Sequence, residues 1–350
     1  MAEVSSVQDN QSLYNKIDAL YPPTDEPTPP TLANTVLLLA CFTIGIAGNA
    51  SQLALQIYTN RFAISQPSEL SQYYISILHV VYFLISIALP SVIIENLVNM
   101  WMFGMVTCAS HFILVTSGRA VIGWIVVFIV ADQAILHCQL WSKLKRVTHR
   151  SAFIASLIFL FVFVALIVAP SLFFIKVTVY EEYGLIPNFR IDTYTCSTIL
   201  PKHLSLYTNA FALIFDYILP ITIVIVLITV FLGKVNTRRN SSSHVNQWKI
   251  NSFIMLLATL HFFAYLPHWT AILLLFVAEN WSLQMPDWVL VVLKQLVLLL
   301  PHLTAAFAWI PLSSLSTLLA DRARSMYSES YGKFTRQKRQ TGVWAEESVF

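Results

Sequence analysis

Apolar and polar positions along this chain come in blocks. Seven apolar runs, at about 32–57, 70–94, 105–138, 151–176, 204–233, 248–278 and 286–316, alternate with shorter polar segments. A helix needs roughly 20 apolar residues to cross a hydrocarbon core about 30 Å thick, so each run is long enough to span a bilayer. Water does not reach the backbone there, so each span must close its own hydrogen bonds and is predicted to be an α-helix. The pattern predicts an all-α membrane protein, a seven-transmembrane helix bundle. Runs longer than a perpendicular crossing needs predict tilt, or protrusion into water.

Composition supports lipid contact. The 350 residues are 57% hydrophobic and 11% charged, against about 25% charged in a soluble domain. Residues 1–31 are polar and carry Pro22, Pro23, Pro27, Pro29 and Pro30. They lack the apolar core of a cleavable signal and read as a flexible tail. The chain divides into this tail, a membrane domain over 32–316, and a last segment over 317–350.

Charge sets the orientation, because Lys and Arg are enriched on the cytoplasmic side. With the N-terminus outside, the inner segments hold fifteen of the 21 Lys and Arg and the outer segments hold Lys16, Lys176, Arg190 and Lys202. Arg119 and Lys294 fall within spans. The asymmetry predicts an extracellular N-terminus and a multi-pass protein of the plasma membrane. Eleven acids lie outside on this topology, a field that concentrates cationic ligands, although acids are also simply tolerated there. Asn10-Gln-Ser12 and Asn280-Trp-Ser282 then make Asn10 and Asn280 outer glycosylation acceptors. Cys108, at the outer start of the third span, and Cys196, in the longest outer loop, both face the oxidising side, which makes a disulfide between them the natural pairing. Cys41 and Cys138 are expected to be free.

Several motifs in order carry a resemblance. Gly48-Asn49 lies in the first span. Trp101-Met102-Phe103-Gly104 precedes Cys108, and Asp132 follows it by twenty-four residues. Pro170, Pro220, Pro267 and Pro311 stand in spans four to seven, and Pro90 in the second. Over residues 32–328 the chain resembles a rhodopsin-like (class A) G-protein-coupled receptor, closest in character to peptide receptors. The resemblance implies an extracellular ligand, a heterotrimeric G protein at the inner face, and helix kinks at the prolines that act as pivots. Asp132 and Gln133 occupy the coupling positions.

The departures cluster on the inner half. Gln133 stands where the family has an arginine that pairs with its neighbouring acid. Tyr82 aligns with the family's sodium-binding acid, Tyr265 with its sixth-span tryptophan, and Ile310-Pro311-Leu312-Ser313-Ser314 replaces Asn-Pro-x-x-Tyr. Two explanations stand side by side: altered switch residues that still signal, or ligand binding without ordinary coupling.

Charge at membrane depth marks function. Arg119 lies eleven residues beyond Cys108, about 16 Å along a helix, and Asp216 lies at matching depth four residues before Pro220. The expectation is that they pair, or that a ligand separates them; a permanent structural pair is the alternative. Tyr265 and His268 resemble the family's pocket positions, and Lys294, near the outer end of the seventh span, is placed to reach the cavity mouth or to snorkel to water. His261 and His302 read as packing residues. In the outer loop 177–203, two β-prone runs flank Gly184, Pro187 and Asn188 and predict a hairpin. With Pro90 and the acidic outer face, this favours a neuropeptide-like ligand.

Beyond the seventh span, Leu315, Leu318, Leu319, Ala323 and Met326 recur at helical spacing and predict a short amphipathic helix along the inner surface. Ser and Thr residues of the tail are candidate phosphorylation sites for an arrestin-like partner, and Ser348-Val349-Phe350 has the form of a PDZ-domain ligand. No enzyme motif, metal-ligand set or cofactor loop is present in the sequence. No cofactor and no nucleic-acid partner are expected, and membrane lipid is. A seven-span transporter or channel, or a chemosensory receptor for small molecules, is the alternative reading.

Overall fold

The computed structural model describes residues 28–62, 70–138, 149–183, 190–237, 244–281 and 284–321. Among them are seven helices long and apolar enough to cross a membrane. The first span is α1 (Pro29–Phe62), and the second is α2 (Leu70–Ile87) continued by α3 (Leu89–Val98). The third is α4 (Gly104–Cys138) and the fourth α5 (His149–Leu172). The fifth joins α6 (Lys202–Ala212), a π-helical turn at Leu213–Ile218, and α7 (Leu219–Thr237). The sixth is α8 (His244–Asn280), and the seventh is α9 (Asp287–Phe307) with its continuation over 309–321.

Prolines account for most of the irregularities. The second span bends at Ala88, just before Pro90, where a backbone donor is missing. The seventh carries Pro301 within α9 and bends again at Ala308, three residues before Pro311. Pro267 lies inside α8, and Tyr217 of the fifth span donates a 2.9 Å hydrogen bond to the Phe262 carbonyl in the turn before it. Neighbouring helices satisfy backbone groups near a break in this way, which lets kinked helices persist without water.

The fourth span ends at Leu172 rather than at 176. Its apolar continuation enters β1 (Ile175–Tyr183), which pairs antiparallel with β2 (Arg190–Thr198). The hairpin predicted from the outer-loop sequence is present, with Val177 opposite Cys196. Cys196 is disulfide-bonded to Cys108, which fastens β2 to the top of the third span. Trp101 locks the same corner: its backbone N–H donates to the Tyr194 carbonyl at 2.7 Å and its Nε1 to the Gly104 carbonyl at 2.9 Å. The Trp101 side chain packs with Cys108 and Ile175. Gly104 has φ +71° with open space around it, so the turn needs glycine for its backbone conformation.

The core follows the third span, where Ile122, Ile125 and Ile129 meet Ile75 and Leu78 of the second span and Phe262 of the sixth. Trp124 packs edge-on against Phe159 and Phe163 of the fourth. At the opposite end from the disulfide, the seventh helix runs unbroken from 309 to 321, and Leu312, Leu315 and Leu319 are buried in this core. The remainder of the expected surface helix, the candidate phosphorylation sites, the terminal Ser-Val-Phe and Asn10 lie outside the described residues.

Candidate functional site

The two charges expected to meet do so. Arg119 Nε stands 3.7 Å from Asp216 Oδ2, with the Asp216 side chain fully enclosed and that of Arg119 16% exposed. Their approach has a backbone cause. Asp216 lies in the π-helical turn of the fifth span, and Pro220 has no N–H for the Asp216 carbonyl four residues back. That carbonyl lies against Gly123, where a Cβ would come within 3.1 Å of it. Glycine at 123 lets the third and fifth spans close together at the level of the ion pair.

The sixth span completes the cluster. Arg119 Nη1 lies 3.3 Å from His268 Nε2. Arginine has only donors, so the imidazole accepts at Nε2 and holds its proton on Nδ1. The guanidinium carbon sits 4.9 Å from the Trp269 ring centroid, a cation–π contact. Both His268 and Trp269 are buried. Tyr265 is buried one turn away; its hydroxyl shares a 2.9 Å hydrogen bond with Thr304 of the seventh span, and its ring meets that of His268 edge-on. Three spans thus bring Arg119, Asp216, His268 and Tyr265 together, and the seventh joins them through Thr304. Lys294 is exposed, ten residues before Thr304, about 15 Å along the helix, and no contact joins it to the cluster.

Trp269 and Gly123 were not expected from sequence. The signal for Trp269 is its position beside His268 and Pro267. For Gly123 it is a glycine one turn from Arg119 on the same helix.

A second polar site lies between the first, second and seventh spans. Asn49 Nδ2 donates to the carbonyls of Gly45 and Ala305, at 2.9 and 3.0 Å. The second-span side chain that reaches Asn49 is His79, one turn before Tyr82, with Nδ1 3.2 Å from Asn49 Oδ1. Tyr82, which the resemblance places at the family's sodium-binding position, does not make this contact.

At the far end of the third span, Ser71 Oγ donates to Asp132 Oδ2 at 2.6 Å and accepts from Gln133 Nε2 at 2.9 Å. Both residues expected at the coupling positions are therefore buried and joined through the second span. Arg119 and Asp132 are thirteen residues apart on one helix, about 20 Å, so Asp132 and Asp216 share no site. Asn280 is exposed and donates to the Phe276 carbonyl. Cys41 is a buried free thiol, and no cluster of metal-ligating side chains occurs among the described residues.

No protein-family model matches the chain. It is similar to a Caenorhabditis elegans protein described as a probable G-protein coupled receptor, 23% identical over 337 residues that cover 93% of this chain and 76% of that protein.

Proposed function

We propose that this chain is a G-protein-coupled receptor of the rhodopsin-like class, with an extracellular N-terminus and a peptide ligand. The observation that carries the reading is the buried Arg119–Asp216 pair, placed beneath a disulfide-pinned hairpin within seven membrane-length helices. Charged residues at membrane depth are costly, and where they occur they mark functional positions. Similarity over 93% of this chain to a protein described as a probable G-protein coupled receptor supports the same reading.

In this account the ligand enters at the disulfide end and engages Arg119, Asp216, Tyr265 and His268, while Lys294 meets its outer part. The ligand changes the contacts between the third, fifth and sixth spans. Pro220 and Pro267 give those spans places to pivot. The rearrangement reaches the Ser71–Asp132–Gln133 cluster, next to which a G protein docks. Arrestin and a PDZ-domain protein engage the tail. Glycans at Asn10 and Asn280 belong to the outer face.

Cells expressing the chain, screened with a peptide library, test this reading. Ligand-evoked second messengers without ion or substrate flux are expected. Flux without second messengers favours a transporter or channel, and evoked messengers from small molecules alone favour a chemosensory receptor.

A further inference from the structure

The Arg119–Asp216 pair is incomplete. Neither carboxylate oxygen of Asp216 accepts a hydrogen bond, and Arg119 Nε donates none. The 3.7 Å between them is an ion-pair distance, beyond hydrogen-bond reach. Enclosed polar groups almost always have partners, because an unpaired one gives up its hydration without return. Asp216 is fully enclosed, whereas Arg119 is 16% exposed, so the pair is reached from the arginine side. His268 Nε2 and the Trp269 ring already hold the guanidinium from the sixth span.

Charge narrows what fits. One guanidinium and one carboxylate sum to zero. A ligand carboxylate at Arg119 meets repulsion from Asp216, and a ligand ammonium at Asp216 meets repulsion from Arg119. Either leaves a net charge at low dielectric, where it is expensive. A primary carboxamide is neutral and planar, with one acceptor oxygen and two donor N–H groups. It supplies what each side lacks.

We propose that this cluster is a binding site for a primary carboxamide, with the oxygen on the Arg119 guanidinium and the nitrogen donating to Asp216. The pair opens to admit the group, and no Nε–carboxylate hydrogen bond is lost when it does. The inference rests on the receptor reading of this site and names the chemistry of its ligand. A –CONH2 group occurs on an amidated peptide terminus and on an amide side chain.

The test uses the full chain in lipid nanodiscs and saturation-transfer NMR titration. The probes are N-acetyl-phenylalaninamide, its free acid, its dimethylamide, and N-acetylglutamine N-methylamide. A probe of this size binds in the roughly millimolar range. The terminal amide is expected to bind at least about tenfold tighter than the acid or the dimethylamide, given the penalty for an unpaired buried charge. The better of the two carboxamides identifies a terminal or a side-chain source. Asp216→Asn leaves a net positive site and should shift preference to the acid; Arg119→Gln leaves a net negative site, should weaken the amide several-fold by removing the donor to its oxygen, and should still exclude the acid. If either variant fails to fold, the exchange Arg119→Asp with Asp216→Arg keeps the site neutral and should keep the preference for the amide.

Equal binding of acid and amide to the native chain overturns the proposal, as does no amide binding or amide binding indifferent to these substitutions. The titration needs no G protein, so the two readings fail separately. Amide selectivity without evoked signalling in cells sinks the receptor reading. Signalling by acids or amines in preference to amides sinks the carboxamide site alone.

Discussion

His79 Nδ1 lies 3.2 Å from Asn49 Oδ1. Because Asn49 uses its amide nitrogen on the Gly45 and Ala305 carbonyls, its oxygen is the acceptor, and His79 holds its proton on Nδ1. One asparagine thereby ties the first helix to the second and the seventh. Interhelical hydrogen bonds in membranes contribute about 0.6 kcal/mol on average and up to about 1.7. Asn49→Leu removes two of them and is expected to cost about 1–3 kcal/mol, read by denaturant unfolding in micelles. His79→Leu should cost less, and His79→Gln, which keeps a donor, should recover part of that loss. Unchanged unfolding of Asn49→Leu contradicts this role.

Gly48 makes a sharper steric prediction. A Cβ there would overlap the Trp309 ring of the seventh span, a bulky and rigid neighbour, whereas a Cβ at Gly233 meets nothing within 4 Å. Gly48→Ala is expected to destabilise by about 1–3 kcal/mol, the usual cost of overpacking. Gly233→Ala should be neutral or slightly stabilising, because alanine favours a helix interior. A thermal-shift comparison of the two variants decides it; equal midpoints would mean that the first and seventh spans are not in close contact at Gly48.

The disulfide should behave as one unit. Cys108→Ser, Cys196→Ser and the double variant are expected to lose stability equally, by about 2–4 kcal/mol, with matching loss of surface display. The Trp101 contacts to Tyr194 and Gly104 should hold part of the corner in place without it. A single serine variant that displays normally would disprove the pairing.

Gln133 is buried against Ser71, which also donates to Asp132. Replacing it with arginine places a cation beside Asp132 and offers a charge-assisted bond stronger than the present neutral one. Gln133→Arg is expected to lower basal G-protein signalling, measured at matched surface expression. Ser71→Ala should raise it, since Asp132 and Gln133 then lose their shared partner. No change in basal or evoked signalling in either variant rules out a switching role for this cluster.

The seven spans were legible because lipid contact leaves long apolar runs that nothing else explains. Matching depths foretold the Arg119–Asp216 approach, and β-prone residues around Gly184 foretold the hairpin. The end of the fourth span was misplaced by a few residues because Ile175 and Val177 are as apolar as helix residues, and hydropathy does not distinguish a strand from the end of a helix. Trp269 beneath Arg119 and His79 against Asn49 were invisible for another reason. A single aromatic or histidine in an apolar run has no period, and its partner lies on a different helix. Gly123 depends on a backbone approach to the Asp216 carbonyl that only the folded bundle displays.

The most direct measurement is ligand-evoked G-protein activation in cells expressing the native chain, screened with amidated peptides and recorded alongside ion flux. At least one peptide is expected to evoke a second messenger without flux, and Asp216→Asn is expected to abolish the response at equal surface expression. A response unaffected by Asp216→Asn, or flux with no second messenger from any peptide, would contradict it.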